Sequence, residues 1–524
     1  MPAASLKIVH NTYRDSVTLM QLSAKIAALA GVHQASVVMA TEGNLALLRE
    51  AGLLEREVAV SPSDLLVVLR AESDAAASAA LAQAEGLLAG GLLAGGDGPS
   101  AGRRGPQEIP PRSIQMALAA QPESNLALIS TPGEYAAAEA LKALRLGLHV
   151  MLFSDNVALE DEVLLKREAE RRGLLLMGPD CGTAIVRGIP LGFANAVRRG
   201  PIGVIGASGT GLQQVTSLID QAGLGVSHAF GTGGRDLKAE VGGATMLRAL
   251  EELAADFETR VIVLVSKPPS QEVTEKVLAR ARATGKPVIA CFLGADPARI
   301  EGDGVVAAAT LEDAAAMALA AARGIPYAGT AQRLPEHDAS HLKPEQRFVR
   351  GLYSGGTFCY EATLILSRAL EDLYSNTPVG RAIKLDDVWR SKSHTLVDLG
   401  DDEFTRGRPH PMIDHRLRNE RMVREAADAE VAVLLLDVVL GHGAHPEPAA
   451  EMLPAIRAAR EAAQRDKREL AVVAFVCGTE RDPQGLARQV ATLREAGVVL
   501  AASNAQAART AAAIASRHVA SRRS

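Results

Sequence analysis

The chain has 524 residues, a formal net charge of -5, and 3% aromatic against 48% hydrophobic side chains. That length suits several domains, and a mildly acidic balance without a basic stripe argues against a nucleic-acid partner. The four cysteines, Cys181, Cys291, Cys359 and Cys477, are widely spaced with no CxxC pair, so neither a zinc ribbon nor a thioredoxin-type site is expected, and no metal is assigned.

The predicted elements begin with a small α/β module over 1–90. Lys7–His10, Ala35–Met39 and Leu65–Leu69 read as strands, with Val17–Leu29 and Glu42–Ala51 as helices between them. The start of the chain lacks a basic stretch followed by an apolar run, and no apolar run reaches about 18 residues. No signal peptide or membrane span is therefore expected, and a cytoplasmic protein is. A Gly/Pro/Ser-rich linker is placed at 91–120. Strands at Leu126–Ile129, His149–Phe153 and Leu174–Met177 alternate with helices at Glu134–Leu146 and Leu159–Arg172, which implies a parallel-sheet α/β domain over 121–198. The next domain, 199–325, carries strands Gly203–Ile205, Val261–Val265 and Val288–Phe292. A polar linker at 326–346 leads to a last domain, 347–524, with strands Arg350–Tyr353, Val431–Leu436 and Ala471–Val476. The class is multi-domain α/β with parallel sheets.

The last two domains look like copies. Ile202–Ile219 and Val349–Leu366 both read as a strand, a Gly/Ser-rich turn and a threonine at a helix start. Unpaired N–H groups and the positive dipole end make such a helix start attractive to anions. Glycine lets an anion approach, and a hydroxyl adds a donor. Ser208, Gly209 and Thr210 form one candidate phosphate or carboxylate cradle, and Gly355, Gly356 and Thr357 the other. The alternative is a plain tight turn. Neither segment matches a P-loop or GxGxxG.

Further candidates follow strands. In Asp398–Asp414, Arg406 and Arg408 are suited to grip a carboxylate, His410 to act as acid, base or clamp, and Asp401 to line a substrate. Glu480 and Arg481 follow strand Ala471–Val476, and Lys267 follows Val261–Val265; each also reads as an ordinary polar turn. The His-x-x-His spacing of His442 and His445 is weak for a metal.

Several segments resemble a known family. Gly173–Thr183, Gly200–Thr210 and Phe230–Asp236 are similar to glycine-rich segments of the succinyl-CoA synthetase α chain, the first of them containing Asp180 and Cys181. Met151–Asn156, Asp398–Asp402, Gly407–Asp414 and Gly478–Pro483 resemble the FdrA family over nearly the whole chain. The resemblance implies a CoA-binding-type Rossmann-like domain and two flavodoxin-like domains. In the synthetase, two helix N-termini flank a phosphoryl-carrying histidine. The matching position here reads Gly294-Ala-Asp-Pro, without histidine, and the synthetase's Gly-rich CoA loop has no counterpart before Asn125.

FdrA-like chains are associated with oxamate carbamoyltransferase, which implies oxalurate and phosphate as substrates, carbamoyl phosphate and oxamate as products, and a role in allantoin catabolism. On that reading His410, Arg408, Glu480 and Arg481 are catalytic, while Lys267, Arg406, Asp401, Asp180 and Cys181 contact substrate. Two alternatives stay open: an acyl-CoA synthetase or CoA transferase, with CoA as ligand, and an anion-binding scaffold without catalysis. Partner subunits or a homo-oligomer are expected in each case.

Overall fold

Leu65–Ala71 reads Leu-Leu-Val-Val-Leu-Arg-Ala, a strand apolar on both faces, and the structure shows why. It is the central strand of a three-stranded sheet, flanked by Ala3–Val9 and Val32–Met39, antiparallel to both. Leu65, Val67 and Leu69 face one core with Leu19, Leu22 and Ile26, whereas Leu66 and Val68 face another with Leu48, Leu53 and Leu54. A strand covered on both sides loses the polar alternation of a half-buried one.

This computed structural model describes residues 3–14, 16–54, 58–89, 111–330, 341–406 and 408–520, with 334, 335, 337 and 339. The expected linker at 91–120 lies outside the described residues up to 110, and the linker at 326–346 does so in part. The 111–120 stretch differs from expectation: Ile114–Ala120 is a helix, capped by Ser113, with Ile114 and Leu118 packed on a core.

The described residues fall into two compact units. One comprises 1–176 with 402–413, and the other 177–401 with 414–524. In the first unit, Leu126–Ile129 and His149–Leu152 run parallel, and Leu176–Met177 completes their sheet. Ala136, Ala140, Ala143 and Leu144 give helix Gly133–Arg145 one buried stripe. Helix Leu159–Arg172 has Glu160, Asp161 and Glu162 in its first turn, Arg171 and Arg172 in its last, and left-handed Gly173 beyond. Its charges thus complement the helix dipole, and its stop is the residue type best suited to that conformation.

Among the described residues the second unit holds two seven-stranded sheets. In the first, Val305–Ala307, Val288–Phe292, Val261–Ser266, Ile202–Gly206 and Val226–Gly231 lie side by side in parallel, and an antiparallel hairpin, Thr183–Val186 with Ile189–Gly192, extends the edge. In the second, Val499–Ala501, Ala471–Cys477, Val431–Val439 and Phe348–Tyr353 repeat the same neighbour order. They are followed by His394–Asp398, Leu373–Ser375 and Ile383–Lys384, all parallel. The strand pairs matched in sequence therefore occupy equivalent places. The short edge strands were not foreseen, because two to four residues give little periodicity.

Helix Gly209–Gln221, from the first half of this unit, runs along the carboxyl edge of the second sheet. Ser208 meets Thr357, Gln213 donates to the Leu440 carbonyl and Gln221 to the Gly478 carbonyl.

Candidate functional site

The two Gly-rich turns are brought together. Ser208 Oγ and Thr357 Oγ1 are 2.6 Å apart, joined by a hydrogen bond between positions 149 residues apart in sequence. A Cβ on Gly355 would stand 3.0 Å from Thr210 Cγ2, so the two turns touch through a glycine that has no room for a side chain. Thr210 and Thr357 are buried. Two helix starts thus converge on one point, each bringing a hydroxyl and main-chain donors.

The turns are held differently. Ser208 caps its own helix, its Oγ accepting from Gly211 N at 2.9 Å. Helix Gly356–Ala369 has Gly355 at its cap and no side-chain cap bond. That turn is held from below by Asp437: Oδ1 accepts from Ser354 N and Oγ, and Oδ2 from Gly355 N, at 2.8–2.9 Å. Arg418 pairs with Asp437 at 2.9 Å, both fully buried, and also donates to the Asp437 carbonyl and toward His415 Nδ1.

Asp398 ends the neighbouring strand, opposite Tyr353. Its Oδ1 accepts from Gly400 N at 2.9 Å, and Oδ2 lies 2.6 Å from where a Cβ on Gly356 would stand. Burial pushes this carboxyl up to about 7, with Asp401 and Asp437 adding to the rise while the Gly400 N–H and Lys267 oppose it. Lys267 Nζ stands 5.0 Å from the centroid of Tyr360, on the same helix.

Other expected site residues are placed as follows. Cys181 is buried, its thiol donating to the Gly231 carbonyl at 3.4 Å. Asp180, in a left-handed conformation, is exposed beside Gly234. Their loop adjoins the first turn, since Thr183 Oγ1 lies 3.2 Å from a Cβ on Gly209.

Glu480 and Arg481, expected to be catalytic, are exposed and lie elsewhere. Arg481 faces Asp220 at 3.8 Å, near the far end of helix Gly209–Gln221, roughly 18 Å of helix from Ser208. Asp482, beside them in the turn, is buried and accepts from Asn195, Ala196 and Thr479. The polar turn is built as a brace, with Glu480 accepting from Ala487 N. His442 and His445 belong to the loop after Val431–Val439, where His442 N donates to the Ala194 carbonyl.

Arg406, Arg408 and His410 lie in the first unit, in the 402–413 segment, whereas both turns lie in the second. Arg406 and Arg408 are exposed; His410 Nδ1 accepts from Met412 N at 3.2 Å, and burial holds the ring down at about 4. A ring kept neutral near pH 7 is an acceptor or single donor there, not a standing cation.

Sequence reasoning missed Asp398, Asp437 and Arg418. Asp398 was visible at a strand end but overshadowed by Asp401. Asp437 sits within an apolar strand, and such a buried acid is itself a signal that a partner must exist.

Comparison with known proteins places these features in a family. The description "CoA-ligase" matches residues 352–514, "CoA binding domain" matches 197–294, and "AllF, heavy metal-associated domain" matches 1–99. The uncharacterized protein YahF of Escherichia coli strain K12 is 43% identical over 507 residues, 95% of this chain and 96% of YahF. The chain belongs to the YahF/FdrA family. Within this family the chain is related to the succinyl-CoA synthetase α subunit. The mitochondrial succinate–CoA ligase subunit α-2 of Trichomonas vaginalis is 30% identical over 181 residues, 33% of this chain and 57% of that subunit, so the match spans little more than half of the ligase chain. The crystal structure of PH0766 from Pyrococcus horikoshii aligns over 79% of this chain and 88% of that one at 16% identity, with a TM-score of 0.35, too low to bear on the fold.

Two groups implied by these descriptions can be tested against the residues. A heavy metal does not fit the 1–99 module, which contains no cysteine; His10 there faces Asp64, whose carboxylate is taken up by Asn11 and Ser61 N–H groups. A CoA phosphate does not fit the helix start at Gly133, where a Cβ would meet the Asp155 and Asn156 carbonyl oxygens at 2.3 and 2.6 Å. Carbonyl oxygens repel a phosphate. The paired turns of the second unit, where two helix starts and two hydroxyls meet, are the better match for a phosphoryl group. No described helix is long and apolar enough to cross a membrane.

Proposed function

We propose that the chain is an acid–CoA-ligase-type enzyme subunit whose paired helix starts hold the phosphoryl group of an acyl phosphate. The observation that carries this reading is the 2.6 Å contact of Ser208 with Thr357, which makes one anion cradle out of two halves of one chain. Main-chain N–H groups and two hydroxyls surround the phosphoryl oxygens, and preorganised donors of this kind stabilise charge without reorganising. The position that carries the histidine in the synthetase reads Gly294-Ala-Asp-Pro, so the phosphoryl group is held without a covalent bond to that residue type.

That absence also favours a narrower second reading. Carbamoyl phosphate is an acyl phosphate, and a carbamoyltransferase using oxalurate and phosphate needs a phosphate cradle but no phosphohistidine. The phosphate oxygen bonds to the ureido carbon, the carbon–nitrogen bond to oxamate breaks, and a proton passes to the departing nitrogen. Partner subunits would supply the nucleotide site of a ligase, or the remaining substrate contacts of a transferase.

Calorimetric titration of the full chain with carbamoyl phosphate and, separately, CoA tests both readings. Carbamoyl phosphate binding that is lost in Thr357→Val supports the cradle. Added CoA binding selects the ligase acceptor, and CoA silence the transferase. Equal binding by wild type and Thr357→Val would place the anion elsewhere and sink the reading.

A further inference from the structure

We propose that Asp398 couples anion binding at the paired turns to proton uptake, so that the cradle takes a phosphate-class dianion only when Asp398 is neutral. This rests on the reading of the turns as an anion cradle. Asp398 is 8% exposed at the carboxyl end of strand His394–Asp398, beside the strand that feeds the Ser354–Thr357 turn. One oxygen accepts from Gly400 N; the other, Oδ2, accepts no hydrogen bond from a described residue and lies against Gly356, the first residue of the uncapped helix. A carboxyl oxygen therefore stands directly beside the first residue of the helix start proposed to receive the anion.

The charged and titratable groups facing it come from four elements. Asp401 follows on its own segment and Lys267 comes from the end of strand Val261–Ser266. Asp437 comes from Val431–Val439, its charge matched by Arg418. Cys359, on the helix Gly356–Ala369, is buried and holds its proton, its thiol pushed well up. Among the described residues, Lys267 is the cation whose charge bears on Asp398, opposing the rise that Asp401 and Asp437 add.

An ionised Asp398 would place like charge against a bound dianion. A neutral Asp398 donates its Oδ2–H to an anion oxygen. The only covalent change is protonation of Oδ2 by a buffer acid, which keeps its electron pair. Burial already holds the free carboxyl up to about 7, and a bound dianion lifts it further. Between those two values, binding takes up a proton and affinity falls about tenfold for each pH unit.

The experiment uses inorganic sulfate, a dianion that does not itself titrate near neutrality, with phosphate in parallel. Calorimetry of the full chain at pH 6 and 8, in two buffers of different ionisation enthalpy, reads affinity and proton uptake together. The expected result is roughly a tenfold loss of sulfate affinity at pH 8, with up to one proton taken up, and a flat profile without uptake for Asp398→Asn. Binding without uptake by the wild type at pH 8 overturns the coupling and leaves the cradle standing, whether or not the variant folds. Identical pH profiles for wild type and variant also overturn it. Failure of both anions to bind at either pH removes the cradle and the coupling together.

Discussion

The two turns that meet at Ser208 and Thr357 follow the same backbone path and solve the same problem in opposite ways. The first satisfies its own helix start, with Ser208 capping Gly211. The second leaves its helix start without a side-chain cap and fixes the preceding turn from beneath, through a buried aspartate–arginine pair. A capped start is locally stable and has fewer donors to offer. An uncapped start keeps its donors for a ligand, and its shape must be held by something else. The two similar turns thus differ in how they are held, one by its own cap and the other by a buried ion pair.

The largest effect should come from breaking the support beneath the second turn. Asp437→Ala leaves Arg418 charged and buried, and such losses cost about 3–5 kcal/mol. Urea unfolding should show it, and Ser208→Ala in the same assay should not approach it. Equal effects would erase the contrast between the two turns.

Next in size is a pH effect at the contact between the halves of the second unit. Glu361, on helix Gly356–Ala369, accepts from Leu311 N of the first half and from Asn504 of the second, both at 2.8 Å. Burial raises its carboxyl from 4.5 to about 7. A raised carboxyl adds stability that is complete below pH 4.5 and is lost as pH climbs through 7, an effect of up to roughly 3 kcal/mol. Urea midpoints followed from pH 4.5 to 8 should fall more for wild type than for Glu361→Gln. Parallel curves would show that this carboxyl does not titrate there.

Gly355→Ala should be felt less in stability and more in binding. Its Cβ would stand 2.6 Å from Phe358 Cδ2 and 3.0 Å from Thr210, an overpacking that costs about 1–3 kcal/mol. Carbamoyl phosphate titration should show lost affinity in protein that still melts cooperatively. Unchanged affinity would separate the turn contact from the ligand site. The smallest effect belongs to Ser208→Ala, about 1 kcal/mol for a lost cap, with part of it recovered in Ser208→Gly. Thermal melting would resolve the pair, and a full-sized loss in both would assign the effect to the Thr357 contact instead of the cap.

The two turns were legible in the sequence because strand, glycine turn and helix start are adjacent in the chain. Their meeting was inferable only from the repetition, since no local rule links Ser208 to Thr357. Arg418 was not legible: helix Arg416–Ala426 is dense with charge, and only the fold shows that Arg418 and Arg421 turn inward. Glu480 and Arg481 misled because exposed polar turns after strands look alike whether they line a site or brace a loop. The antiparallel pairing of the first sheet was equally hidden, as alternating strands and helices suggest parallel neighbours unless the connections are known.

Helix Gly209–Gln221 buries an unusual face, with Thr210, Gln213, Gln214, Thr216, Ser217 and Asp220 all out of water. An oily face adheres to any oily surface of adequate shape. A polar face needs specific partners: the Gln213 amide finds the Leu440 carbonyl, and Gln221 at the helix end finds that of Gly478. The helix therefore works as a key of recognition inside a single chain. Each first half is suited to its own second half, and a mismatched neighbour would take these carbonyls from Gln213 and Gln221.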